Sequence, residues 1–348
     1  MRFLLSLHFV LRPAFAAILL ASLFAPGLIP AQQPYKVIDH WAIGGEGGWD
    51  YLLADSSAHR LYIAHGARVE VIDTASGKPI GAITGLHGVH GIALDTDGTF
   101  GYISDGGGNA VVVFNRDTLA TVATITAGVN PDGIVFEPVT HTVWAFNGRS
   151  KDVSVIDAAT QKVVATIRLP GKPEFPAVDG QGTVFDNIED KNQIVRFDAR
   201  SFKITATWPT GCNSPSGLAF DVYGHRLFPV CDGNKMSVVD SLSGKILATP
   251  AIGDGPDAAG WSSAYSLAFA SSGDGVLSIV DASTPGYPTV QKLATQRGAR
   301  TMAYDAGADR IYLVSAEFGP RPDPTPDNPR PRPAVLPGSF QVIVVGRN

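Results

Sequence analysis

A four-residue phrase that returns every 41 or 42 residues predicts an all-β fold, a seven-bladed β-propeller. It runs Val71-Ile72-Asp73-Thr74, Val113-Phe114-Asn115-Arg116, Val155-Ile156-Asp157-Ala158, Arg196-Phe197-Asp198-Ala199, Val238-Val239-Asp240-Ser241 and Ile279-Val280-Asp281-Ala282. Two further observations agree. Each unit breaks into short β-branched and apolar runs with Gly, Asn, Asp and Pro between them, the composition of strands and turns. The chain length then closes the arithmetic: beyond an expected N-terminal leader of 31 residues, the 348 residues hold seven such units and leave 23, about the length of one insertion. A ring of repeats escapes the size limit of an ordinary domain because each unit packs only on its neighbours.

The third unit shows the four strands in order. Asn130-Pro131-Asp132-Gly133 opens the innermost strand, Ile134-Val135-Phe136, and Thr142 to Phe146 is the second. Val153 to Ile156 is the third and Lys162 to Ile167 the outermost. The recurring Asp after the Val-Ile pair is expected to be a turn residue, its carboxylate accepting backbone N–H groups two residues on. The seventh unit starts at Arg300-Thr301-Met302-Ala303, continues through Arg310 to Val314, and reaches its third strand only at Ser339 to Val345. Its missing outer strand is expected from the other end of the chain, Lys36 to Ile43. Pairing first and last segments closes the ring and removes two exposed sheet edges.

Residues 1–31 read as an export signal. Arg2 and Arg12 supply positive charge, Ala14 to Phe24 is almost unbroken apolar sequence, and Ile29-Pro30-Ala31 offers a small residue for cleavage. That run is shorter than the roughly 20 residues a bilayer span needs, so no membrane span is expected in the mature chain. The expected mature protein, 32–348, is a single propeller, monomeric, and periplasmic or secreted. Without Arg2 and Arg12 it carries 25 basic and 32 acidic residues, a net charge of −7. A surface of that sign repels phosphate backbones, which disfavours nucleic acid as a partner.

These units resemble the YVTN family of β-propeller repeats through Arg60-Leu61-Tyr62-Ile63, Val69-Glu70-Val71-Ile72-Asp73 and Lys162 to Ile167. Pro215 to Ala219, Gly253 to Ala258, Gln296 to Met302 and the Pro-rich stretch before Phe340 to Val345 resemble an exported bacterial branch of it. The resemblance covers essentially the whole mature chain. It implies a seven-bladed ring outside the cytoplasm, usually without an assigned reaction. Tryptophan-Asp and double-glycine kelch signatures are absent.

In a four-stranded blade, the loop entering the first strand and the loop between the second and third lie at one end. His65 to Arg68, Asp105 to Asn109, Asn147 to Asp152, Asn187 to Gln193, Cys231 to Lys235 and Ser271 to Gly275 therefore share a face. In the seventh unit the same loop is the insertion, 315–338, rich in proline and charged at Glu317, Arg321, Asp323, Asp327, Arg330 and Arg332. Loops this long are functional or disordered, and the composition leaves both readings open.

Repeat alignment puts Asp50, His90, Asp132, Glu174, Ser216, Asp257 and Arg300 at the mouth of the central channel on that face. Ionised groups avoid burial unless water, a partner or a metal compensates them. Asp50, His90, Asp132 and Glu174, on consecutive blades, could hold one divalent cation; carboxylates with one imidazole suit Ca²⁺, Mn²⁺ or Zn²⁺. The alternative is a water-filled channel in which Arg300 pairs with Asp257 or Asp50. His87 and His90 share an extended segment, a poor geometry for a two-histidine ligand set, and Asp95-Thr96-Asp97-Gly98 lacks the distal Glu of a calcium loop and reads as a turn. Haem-attachment, nucleophile-elbow and phosphate-cradling motifs are not present.

Cys212 precedes one strand and Cys231 ends its antiparallel neighbour, which sets them side by side. In an oxidising compartment a disulfide is expected there, the alternative being two buried thiols. The functional expectation is a non-catalytic binding scaffold, taking a protein or small-molecule ligand through its loop-rich face and funnel. A metal-dependent, lactonase-like hydrolase or lyase with its site in the channel is the alternative.

Overall fold

The fold is set by a pairing of chain ends. Lys36–Ala42 runs antiparallel to Gln341–Gly346, with Lys36 opposite Gly346 and Ala42 opposite Gln341. The structure, a computed structural model, describes Leu4 and residues 33–325, 331 and 333–347. The expected export segment therefore lies, Leu4 apart, outside the described residues. No helix among the described residues is long and apolar enough to cross a membrane.

The described strands form seven antiparallel sheets. Their inner strands are Trp49–Asp55, Val89–Leu94, Pro131–Glu137, Pro173–Val178, Asn213–Asp221, Pro256–Ser262 and Met302–Asp305, blades 1 to 7. Each inner strand touches the next, and that of blade 7 touches that of blade 1, so the ring is closed. This is the seven-bladed propeller the repeat predicts, with Lys36–Ala42 as the outer strand of blade 7. Blade 5 departs from the pattern. Its third strand is split into Lys235–Met236 and Val238–Asp240, and its outer strand is only Ile246–Ala248.

The core is not one body but seven apolar clusters, one at each junction between blades. Strand periodicity explains why. Alternate side chains point to opposite sheet faces, and both faces meet a neighbouring blade, so second and third strands read as nearly continuous apolar runs. Trp144 and Phe146 of blade 3 thus meet Phe197 of blade 4 at centroid distances of 5.5 and 6.0 Å. The junction of blades 4 and 5 is the thinnest, with five buried residues in its cluster.

The recurring acid is the turn residue expected, with a longer reach. Asp73, Asp157, Asp198 and Asp240 each accept the N–H three residues on at 2.7 Å, together with that residue's hydroxyl. Asn115 does the same at 2.9 Å, while Asp281 takes the N–H two residues on. Asp95 likewise accepts from Thr99 and Phe100, closing the turn that its sequence predicts.

The two stems of the insertion pair with each other. Phe318 bridges Val335, Gly319 donates to Ala334 and Leu336 donates to Glu317, both at 2.8 Å. Phe318 also lies 6.0 Å from Trp49, which fixes the stem over blade 1. Residues 326–330 and 332, inside the insertion, lie outside the described residues.

Candidate functional site at the channel mouth

Six of the seven expected residues lie on inner strands, and Arg300 lies two residues before the seventh. The close approach of these strands depends on a glycine that follows three of them. A Cβ on Gly91 would meet the Asp132 carbonyl at 3.0 Å, and one on Gly217 the Asp257 carbonyl at 2.7 Å. On Gly133 it would strike the Glu174 carbonyl. Each glycine thus lets one blade rest its backbone on the site residue of the next.

Asp50, His90 and Asp132 come together, with one ligand atom from each within 4.8 Å of the others. His90 Nδ1 is 2.6 Å from Asp50 Oδ2 and 3.8 Å from Asp132 Oδ1. Glu174 stands outside this group. Its carboxylate is held by Lys172 Nζ, which also bonds Glu189 at 2.6 Å. Arg300 pairs with Asp257, as one of the two arrangements expected for it. Ser216 is turned to backbone, its Oγ donating to the Pro256 carbonyl at 3.1 Å. His87 does not join His90; it bonds Asp105 Oδ2 at 3.0 Å and is largely exposed.

Burial dominates the electrostatics of this end of the channel. It pushes Asp132 up to about 6, against the pull of the His90 charge, and Asp257 up to about 6, against Arg300. Glu174 is raised by burial and by the Asp132 charge, only partly offset by Lys172. Burial alone lowers His90, but the Asp50 hydrogen bond and the charges of Asp132, Asp50 and Glu174 outweigh it, and the imidazole is raised. Tyr51 is raised first by burial and then by four carboxylates, Asp132, Glu174, Asp50 and Asp257. Its phenol therefore feels the charge of acids from four blades.

Three participants were not visible in the repeat alignment. Lys172 lies on the loop entering blade 4 and Glu189 opens a short 3-10 turn, Glu189–Lys191, between its second and third strands, where the repeat specifies only turn chemistry. The third, Asp186, sits on the second strand of blade 4, opposite Pro176. In the other six blades that register holds Ile63, Ile103, Ala145, Pro229, Ala270 and Leu313. Asp186 is fully buried, neither oxygen has a side-chain hydrogen-bond partner, and burial followed by the charges of Glu174 and Asp132 raises it well above its ordinary value, against a smaller lowering by the Glu174 backbone N–H. A signal existed in the sequence: one acid in a register of apolar residues.

Cys212 and Cys231 form the expected disulfide, Cα to Cα 5.9 Å, within the first hairpin of blade 5.

Ring and charged funnel place the chain among β-propeller proteins with a polar channel mouth. No family model matches the sequence. A 148-residue stretch is 30% identical to the uncharacterized protein YncE of Salmonella typhimurium, covering 40% of this chain and 42% of that protein. The YncE of Escherichia coli K12 is 30% identical over 152 residues, 39% of this chain and 43% of its own. The chain thus matches less than half the length of these curated relatives. Among solved structures, the RRP9 WD40 repeats superpose with a TM-score of 0.74 at 10% identity, covering 90% of this chain and 99% of that one. A chain of Kuenenia stuttgartiensis hydrazine synthase gives 0.68 at 15%, covering 78% and 94%. At such identities the likeness speaks for the fold alone.

Proposed function

We propose that the protein is an exported, non-catalytic binding scaffold built of YVTN-type repeats, taking its ligand at the channel mouth and the loops around it. One observation carries this reading. The charged side chains of six blades converge on one end of a rigid channel, and three of them are neutralised by neighbours: Asp50 by His90, Asp257 by Arg300, Glu174 by Lys172. Such an array is preorganised for recognition, because it is held in place before any ligand arrives. The disulfide and the leader pattern support a periplasmic or secreted location.

The test is ligand capture from a small-molecule extract by immobilised protein, read by mass spectrometry. Asp132→Ala should lose the captured species, whereas removal of 320–337 should impair protein partners and leave thermal stability within a few degrees. Identical capture by wild type and Asp132→Ala would overturn a funnel site.

A second reading, a metal-dependent hydrolase or lyase, has one observation in its favour: the convergence of Asp50, His90 and Asp132. It predicts about one equivalent of Ca²⁺, Mn²⁺ or Zn²⁺ by elemental mass spectrometry, lost in Asp132→Ala. Protein purified without chelator and free of stoichiometric metal would remove it.

A further inference from the structure

Directly behind the charged mouth lies an apolar chamber. Its volume is about 250 Å³, and it is lined by 51–53, 91–94, 133–136, 175, 176 and 178. The lining begins one residue past each of Asp50, His90, Asp132 and Glu174, on the same four strands. The acids and the chamber lining are therefore consecutive positions along the same four inner strands. Tyr51 joins them: it lines the chamber, its ring lies edge-on to Phe175 at 4.9 Å, and the charges of Asp132, Glu174, Asp50 and Asp257 reach its phenol.

The charges at the polar end do not balance. Asp50, Asp132, Glu174, Glu189 and Asp257 face only His90, Lys172 and Arg300. Lys172 is shared between two acids, and the nearest cation to Asp132 is an imidazole nitrogen 3.8 Å away. Independently, Asp186 lies fully buried and without a side-chain partner one strand behind Pro176, a chamber residue, where every other blade carries an apolar side chain. Blade 4 thus adds buried acid beside a cavity already short of cations.

We infer that this cavity is a binding site for a small organic ammonium ion with an apolar tail, the tail in the chamber and the ammonium between Asp132 and Glu174. This deepens the scaffold reading and rests on it. The chemistry matches part by part. An ammonium offers three donors and no acceptor, which suits two carboxylates and a phenol oxygen. Charge-assisted bonds of this kind are the strong ones, and the aromatic pair below adds cation–π attraction. The chamber walls, including Leu52, Ile92, Ile134 and Phe136, gain from covering alkyl carbons and exclude water from the charged contact. An alcohol of the same length would fill the chamber but leave the acids unchanged, and a carboxylate would be repelled.

Isothermal titration of the full folded chain with hexylammonium, methylammonium, 1-hexanol and hexanoate tests this. Hexylammonium should bind at one site, more than about 30-fold tighter than methylammonium, because each buried methylene adds several-fold. Hexanoate should not bind, and hexanol should bind at least about tenfold more weakly than hexylammonium. Asp132→Asn and Glu174→Gln should each lower hexylammonium affinity by about tenfold or more. Val178→Phe and Leu94→Phe, two separate fillings of the chamber, should abolish the advantage of hexyl over methyl and leave methylammonium alone. Equal binding of hexanol and hexylammonium, or the absence of saturable hexylammonium binding in protein that melts normally, would overturn the inference. If an extract ligand is captured and lost in Asp132→Ala while hexylammonium fails, the scaffold reading stands and the ammonium class falls.

Discussion

Asp186 is where a single residue departs most from the rule of its fold. Burial raises the carboxyl of this acid in an apolar register, and the same cause raises Asp132, Asp257 and Glu174. These groups bind protons in the folded chain that the unfolded chain has already released near pH 4. Their contribution to stability is full below that pH and is lost as pH rises through their elevated folded values. His90, also raised, acts in the same direction above its ordinary range. Carboxylates such as Asp73 and Asp157, lowered by their turn hydrogen bonds, act oppositely, and only below about pH 4. Thermal midpoints should therefore peak near pH 4 and fall toward pH 8. Asp186→Leu, which restores the residue type of the other blades, should raise the midpoint, more at pH 8 than at pH 5. A midpoint lowered equally at both values would mean that the Asp186 carboxyl is satisfied in the native state.

At the scale of the element, blade 5 is the weak point of the ring. Its third strand is interrupted, its outer strand is three residues long, and its junction with blade 4 is the thinnest. The Cys212–Cys231 bridge spans 19 residues across its first hairpin. Closing a loop of that size removes entropy from the unfolded chain and contributes about 3 kcal/mol. Replacing both cysteines by alanine should lower the urea-unfolding free energy by about that amount. The same loss should follow when wild type is unfolded in reductant, with no further loss when reductant is added to the double variant. An unchanged midpoint in both experiments would show that the bridge does not form in solution.

For the whole molecule, stability is divided among seven junctions, and each depends on both neighbours being present. The closing strand is the joint between the chain ends, and Tyr35 pins it further. Its hydroxyl donates to Asp309 at 2.6 Å, its ring lies edge-on to Phe269, and the Arg347 guanidinium covers it at 4.5 Å. A chain starting at Ile43 would expose Gln341–Gly346 as a sheet edge. It should unfold over a broader range at lower temperature and associate on gel filtration. A synthetic peptide of residues 34–43 should restore the monomeric, cooperative transition; failure of the peptide with normal melting of the truncated chain would show that the closure is dispensable.

Blade number, the strand-closing role of Lys36–Ala42 and the inner-strand positions of Asp50, His90, Asp132, Glu174, Ser216 and Asp257 were legible from the sequence. Each follows from local order: a period near 42, alternation within strands, and a fixed offset from repeat to site. The disulfide was legible for the same reason, since hairpin register places Cys231 opposite Pro215, beside Cys212. Only the tertiary structure decided which acids find which cations. Arg300 takes Asp257, Lys172 takes Glu174, and Asp186 is left buried without a side-chain partner. Those pairings join residues of different blades or of irregular loops, at distances set by how closely the inner strands approach. The repeat specifies where a side chain starts, and packing around the ring determines where its charge ends.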